Sequence, residues 1–419
     1  MERLMITGGS PLRGEIKVHG AKNSSLPLLA AAVLCRGETV LHNCPELSDV
    51  GAACEILSYL GCKVRRQGRS VVIDAADIRR HSVPEPLMRE MRSSIVFLGA
   101  IAARAGQADL SFPGGCELGP RPIDLHLAGL KKLGLIIEED RGRLLCRVDG
   151  RLKGAQIALS FPSVGATENI LLAAATAEGR TVLTNAAREP EIIDLADFLN
   201  KCGAKISGAG EGTIVVDGVE SLRGCEHRVI PDRIVAATYL SCAACTGGDI
   251  LVTETEPVHL AGILPIFEEM GCAVKVEGKS IRLKAPARLR AAGDVRTMPY
   301  PGFPTDAQAP LMAAAAVAEG TSMFVENIFE SRYKHAGELT RMGAKIKLEG
   351  RVAVVEGVPA LHGAEVSCTD LRGGAALVAA GLAAEGETIL REIHHLDRGY
   401  ERIEEALTPL GAHIRRIAD

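Results

Sequence analysis

The sequence predicts an α/β fold of two lobes, built from six copies of one β/α unit, three per lobe. Three observations carry this expectation. A glycine closes a polar-start helix at Gly61, Gly134, Gly203, Gly271, Gly343 and Gly411, at intervals of 68 to 73 residues. A second set, Gly37, Gly106, Gly179, Gly248, Gly320 and Gly386, follows an Ala-rich apolar run in every copy. Segments between the two sets, such as ETVLHNC, RTVLTNA, TSMFVEN and ETILREI, alternate and are rich in Thr and Val, the pattern of a half-buried strand. Copies of this length exceed solenoid repeats of about 20–45 residues, so closed lobes are expected rather than an open array.

Each unit has the same order of elements. The Ala/Leu run is a helix buried on most sides, with the following glycine as its stop. The Thr/Val strand comes next, then a second helix (DVGAACEILSYLG, EIIDLADFLNKCG, AGILPIFEEMG, ERIEEALTPLG). The glycine ending that helix fits a left-handed cap, and one or two strands close the unit. The opening segment MERLMITGGSPLRGEIKVHG stands outside the first copy and is expected to pair with the carboxy-terminal copies. The boundary falls near CEHRVIPDR, giving a first lobe at 21–229 and a second at 1–20 with 230–419. Two lobes imply a cleft, a favoured place for a ligand.

Composition narrows the function. The net charge of −4, from 48 basic and 52 acidic residues, gives no nucleic-acid footprint. Aromatic residues are 3% and Trp is absent, so stacking platforms are not expected either. Apolar runs such as LPLLAAAVLC and PLMAAAAVA stop near ten residues, half of what a membrane helix needs. The amino terminus has no basic segment before an apolar run, and the twelve cysteines lie mostly within apolar patterns. A cytoplasmic protein with reduced thiols is expected. Cys242 and Cys245 form a CxxC with no second pair or neighbouring His, which reads as two core positions.

Candidate chemistry sits where segments depart from the shared grammar. HGAKNSSLPLL places Lys22 and Asn23 immediately before the first buried helix, where backbone donors favour an anion; a solvated lysine is the plainer reading. MRSSIVFLGA places Arg92 at the edge of an apolar helix. In PGGCELGPRPIDLH, Cys116 stands among glycines and prolines, with Arg121 and Asp124 close behind it. That surrounding is expected to make either a reactive thiol or a chance surface cysteine. FPSVGATENILL offers Ser163, Gly165 and Thr167, either as a helix cap or as a phosphate seat. PYPGFPTDAQAPLM presents Asp306 as an N-cap or a positioned general base. Arg372 and Arg398 stand beside Asp370 and Asp397 at two further junctions. The junctions are equivalent, so their basic side chains predict a positive cleft for a small, multiply charged anion, and no Walker loop points to ATP hydrolysis.

The motifs GAKN, PGGCELGPRPIDLH, PSVGATENI, NAAREPEIIDLADFL, PDRI, FPTDAQ, TDLRGGAALV and HLDRGYERI resemble the enolpyruvyl transferase family over the whole chain. Within it, they are similar to the branch whose acceptor is UDP-N-acetylglucosamine. The resemblance implies an inside-out α/β barrel in each lobe. It also implies transfer of enolpyruvyl from phosphoenolpyruvate to the sugar 3-hydroxyl, through a tetrahedral intermediate, with no metal or organic cofactor. Cys116 would be the acid toward the phosphoenolpyruvate methylene, a site of covalent adduct formation and the thiol alkylated by fosfomycin. Asp306 would take the sugar hydroxyl proton. Lys22, Arg92, Arg121, Arg332, Arg372 and Arg398 resemble the residues that hold phosphate and carboxylate. Asn23, Arg121, Pro122, Ile123, Asp124, Leu125, Ser163, Val164, Gly165, Asp306 and Ile328 resemble the UDP-sugar contacts. The resemblance also places the reaction at the opening of peptidoglycan precursor synthesis, and the glycines of PGGCELGPRP imply a lid that closes when UDP-sugar binds. Two other readings are the sister reaction on shikimate 3-phosphate and a silent UDP-sugar-binding paralogue.

Overall fold

A computed structural model describes residues 2–112 and 123–418. These form two compact units, one of residues 20–112 with 123–230, the other of residues 2–19 with 231–418. Each has its own apolar core. In the first, the helices Lys22–Ala32, Phe97–Ala105 and Val164–Ala174 are buried along nearly their whole length. In the second, the same holds for Arg233–Cys245, Thr305–Ala316 and Leu371–Ala383. All three helices of the second unit pack on one another, and in the first unit Phe97–Ala105 packs on both of its companions. A helix apolar on all sides must be enclosed, so these six Ala-rich runs form the interior while the sheets lie outside.

Six four-stranded sheets share one plan. A central strand follows each inner helix, takes a short parallel strand on one side and an antiparallel pair on the other. The sheet around Glu38–His42 shows it: Glu226–Arg228 runs parallel on one edge, and Ser70–Asp74 with Lys63–Gln67 completes the other. The opening segment supplies two strands rather than one. Arg3–Thr7 lies antiparallel between Glu387–Arg391 and His413–Ile417, where the other sheets use a strand from their own hairpin. Arg13–Lys17 runs parallel to Asp249–Thr253. The break in the repeat at the amino terminus is therefore filled within the unit, and each of the six described sheets of this plan has four strands.

The glycines ending the second helices take φ between +92° and +112° in all six copies, the left-handed cap expected from sequence. The upstream glycines behave differently. Only Gly106 caps its inner helix. Gly37, Gly179, Gly320 and Gly386 turn the chain into the next strand several residues after the helix has ended, and near Gly248 it is Gly247 that takes positive φ. Two of the second helices are short, Leu264–Glu269 and Ile403–Leu407, each extended by a 3-10 turn. Proline opens one of these 3-10 turns at Pro257 and stands second in the other at Pro409, and its missing N–H does not continue an α-helical ladder.

Candidate active site

The residues singled out from sequence divide between the two units. In the first unit, Lys22 opens the Lys22–Ala32 helix rather than preceding it. It is not a solvated lysine: only 8% of it is exposed, and its Nζ lies 2.7 Å from an oxygen of buried Asp49. A cation at a helix N-terminus opposes the helix dipole, and Asp49 offsets that cost. The same helix start is held from below. Ser24 donates to Asp194, whose other oxygen lies 2.8 Å from Nε2 of His227, and Lys201 lies 3.0 Å from Nδ1 of that ring. Asn23, next to Lys22, is half-buried.

Ser163 caps the Val164–Ala174 helix, its hydroxyl accepting from Ala166 N at 3.3 Å. Val164 and Gly165 form the first turn. A Cβ on Gly165 would stand 2.9 Å from Cε1 of His126, so glycine lets that ring pack on the helix start. His126 belongs to the helix Asp124–Lys132, whose start also carries Leu125, with Ile123 at the cap position. Burial pushes the imidazole down to about 4, partly opposed by Asp124, so the ring is neutral at pH 7. Its Nδ1 lies 3.1 Å from the Asn169 amide, which also donates to Ile95 O at 2.8 Å and accepts from Gly99 N at 2.6 Å. Ile95 lies in the 3-10 turn Arg92–Val96 that Arg92 opens. Asn169, wholly buried, thus ties the Arg92, Asp124 and Ser163 segments together. Cys116, Arg121 and Pro122 lie outside the described residues.

In the second unit, Asp306 sits in the first turn of the Thr305–Ala316 helix and is not its cap, the cap position being Pro304. Its carboxylate faces two arginines. Arg332 Nη2 reaches one oxygen at 2.8 Å and Arg372 Nη2 the other at 3.2 Å. Arg332 also donates to Thr305 O, and Arg372 Nη1 to the Tyr400 hydroxyl at 3.1 Å. Burial works against the charge on Arg372, yet Tyr400, Asp306 and Asp232 together raise its pKa, so it stays a guanidinium. Among the described residues, the buried Nε–H groups of both arginines have no hydrogen-bond partner. Buried donors left open beside a carboxylate suit an arriving anion. Arg372 follows Asp370, which caps its helix by accepting from Arg372 N and Gly373 N. Ile328 lies in a turn after the strand Thr321–Val325, its N–H donating to Glu326 at 2.7 Å. Arg398 is half-buried next to Asp397, which accepts from both Nη atoms of Arg416 at 2.7 and 2.9 Å.

One parallel joins the two halves. Pro27 and Pro310 occupy the same place in their helices, and neither donates to the carbonyl four residues back. Those carbonyls belong to Asn23 and Asp306, so both helix starts lose one rung of the ladder beside a candidate residue. Asp49, Asn169, Glu326 and Tyr400 were not found from sequence. Asp49 and Tyr400 carry no spacing signal. Asn169 had one: with Thr167 and Glu168 it puts polar side chains at the head of a buried, otherwise apolar helix run. Among the described residues, no group of three or more His, Cys, Asp or Glu is placed to hold a metal ion.

Comparison with known proteins addresses the family. The model for EPSP synthase (3-phosphoshikimate 1-carboxyvinyltransferase) matches residues 6–407. UDP-N-acetylglucosamine 1-carboxyvinyltransferase 2 of Caldanaerobacter subterraneus is 52% identical over 417 residues, covering all of both chains. The chain belongs to the enolpyruvyl transferase family. UDP-N-acetylglucosamine 1-carboxyvinyltransferase 1 of Symbiobacterium thermophilum is also 52% identical, over 99% of this chain and 95% of its own. Among solved structures, the enolpyruvyl transferase NikO from Streptomyces tendae covers 100% of this chain and 99% of its own, with a TM-score of 0.90 at 28% identity. EPSP synthase from Acinetobacter baumannii covers all of both chains with a TM-score of 0.78 at 20% identity, which is a likeness of fold. This transferase therefore has the enolpyruvyl transferase fold that the motif resemblance implied, and its six-unit plan is the one expected from the glycine spacing.

Proposed function

We propose that this enzyme transfers the enolpyruvyl group of phosphoenolpyruvate to the 3-hydroxyl of UDP-N-acetylglucosamine and releases phosphate. The observation that carries this reading is full-length identity of 52% to relatives named for that substrate, against 20% to an EPSP synthase. The sugar oxygen attacks C2 of phosphoenolpyruvate while Asp306 takes its proton, and Cys116 protonates C3, giving a tetrahedral adduct. Loss of a C3 proton with cleavage of the C2–phosphate bond completes the transfer. Carboxylate and phosphate would be met by Lys22, Arg92, Arg121, Arg332, Arg372 and Arg398. The open Nε–H donors of Arg332 and Arg372 support this assignment, since cations held rigidly away from water stabilise developing charge best. Asn23, Arg121 to Leu125, Ser163 to Gly165, Asp306 and Ile328 would hold the UDP-sugar, and the tie made by Asn169 is consistent with a common role for two of those segments.

The same reading gives Cys116 as the thiol alkylated by fosfomycin and peptidoglycan precursor synthesis as the pathway. A cytoplasmic setting fits the eleven described cysteines, which are all free. No described helix is long and apolar enough to cross a membrane. The test is phosphate release from phosphoenolpyruvate with and without UDP-N-acetylglucosamine, in the wild type and in Cys116→Ser. Release only with the sugar nucleotide, and its collapse in the variant, is the expected result. Release driven instead by shikimate 3-phosphate would overturn the acceptor assignment.

A further inference from the structure

Glu326 is 1% exposed and forms no ion pair among the described residues. A carboxylate is tolerated in such a place only when donors surround it. Four do. Oε1 accepts from Ile328 N at 2.7 Å, Phe329 N at 2.9 Å and the Thr297 hydroxyl at 3.1 Å. Oε2 accepts from the Thr305 hydroxyl at 2.9 Å. These donors come from three separate segments: the residue after the strand Asp294–Arg296, the first residue of the helix Thr305–Ala316, and the turn containing Ile328. Asn327 reinforces the first and third, its N–H donating to the Thr297 hydroxyl at 2.8 Å and its amide to Thr297 O at 3.1 Å.

The two oxygens divide the work. One fixes the turn that presents Ile328; the other fixes Thr305, the residue before Asp306. Arg332 and Arg372 grip the Asp306 carboxylate itself and are also candidates for binding the anionic substrate, so their hold is shared. Glu326 holds the helix start through the Thr305 hydroxyl, and among the described residues it accepts no hydrogen bond from either arginine. We propose that Glu326 is a positioning residue that locks Asp306 and Ile328 into one register, so that base and acceptor hydroxyl meet. This rests on the assignment of Asp306 and Ile328 under Proposed function. Misplacing a reacting group by about 1 Å costs on the order of a hundredfold in rate, so the register matters to turnover as well as to folding.

The test compares Glu326→Asp with Glu326→Gln. Aspartate keeps the charge but is one methylene too short to reach both segments. Glutamine keeps the reach: its carbonyl can serve the Ile328 turn while its NH2 donates to Thr305, whose hydroxyl then accepts. For Glu326→Asp the expected result is a fall in kcat of about tenfold or more and a raised KM for UDP-N-acetylglucosamine, with the KM for phosphoenolpyruvate unchanged within about twofold. Glu326→Gln is expected within about threefold of wild type on all three. Wild-type kcat in Glu326→Asp, or an equal rise of both KM values, would overturn the inference. Should Glu326→Asp fail to fold, Thr297→Val removes one donor to Glu326 and the acceptor of the Asn327 N–H, and an unchanged KM for the sugar nucleotide there would overturn it as well. Wild-type enzyme with no sugar-dependent phosphate release would instead sink the underlying reading, and this inference with it.

Discussion

Alanine at position 306 would strand two guanidiniums. Arg332 and Arg372 are 2% and 3% exposed, and each spends one Nη2–H on the Asp306 carboxylate, at 2.8 and 3.2 Å. Removing one partner of a buried ion pair costs about 3–5 kcal/mol, because the charge left behind is uncompensated. Here the Asp306 side chain is 27% exposed, so water can enter the vacated space, and Thr305 O and Tyr400 each retain one guanidinium bond. The expected loss is therefore smaller, about 2–3 kcal/mol. With no Trp in the chain, circular dichroism at increasing urea is the suitable readout. Inorganic phosphate should recover part of the loss by taking the carboxylate's place, stabilising Asp306→Ala more than wild type through ordinary ligand linkage. Asp306→Asn, which keeps one acceptor oxygen, should fall between the two, and both variants should lose turnover. A change below about 0.5 kcal/mol, or equal stabilisation of both proteins by phosphate, would refute the reasoning.

Three further outcomes follow from the same geometry. His126 has its pKa lowered from 6.5 to about 4 by burial, so it contributes stability above pH 6.5 that is lost as pH falls through 4. That acid loss amounts to about 3 kcal/mol, and His126→Gln should flatten it in urea midpoints taken at pH 7.5 and 4.5. Asn169→Ala leaves Ile95 O and Gly99 N without their side-chain partner and should cost about 2–4 kcal/mol. It should also weaken UDP-N-acetylglucosamine binding, measured by calorimetry, and unchanged affinity would argue against its tie to the sugar segments. Gly61 and Gly203 share φ near +110°, but a Cβ on Gly61 would stand 3.1 Å from Arg79 N and Asp77 O, whereas one on Gly203 meets nothing within 4 Å. Gly203→Ala should cost about 1–2 kcal/mol of backbone strain and Gly61→Ala more, as thermal unfolding can compare.

What the sequence made legible was whatever repeats. Six left-handed glycines report a backbone requirement that other residues meet only at a cost, so Gly61 to Gly411 mark the units without any alignment. The Ala-rich runs report enclosure directly. The upstream glycines misled because a turn into a strand and a helix cap ask for the same residue; only Gly106 does both. At the site, chemistry-bearing types in odd places found Lys22, Asp306 and Arg372. Their partners were hidden because the fold, not the spacing, brings them near. Asp49 lies 27 residues from Lys22, and Tyr400 28 from Arg372. Asp306 shows the limit well: its place near a helix start suggested a cap, but the preceding proline holds that position and frees its carboxylate for two arginines.

The acceptor defines the reaction. The most direct measurement mixes the enzyme with phosphoenolpyruvate and equal concentrations of UDP-N-acetylglucosamine and shikimate 3-phosphate, then identifies the enol ether by mass spectrometry. The expected product is a UDP-sugar heavier by one enolpyruvyl group, formed together with phosphate, with no modified shikimate. Enolpyruvyl found on shikimate 3-phosphate, or a UDP-sugar recovered unchanged while phosphate is released, would contradict it.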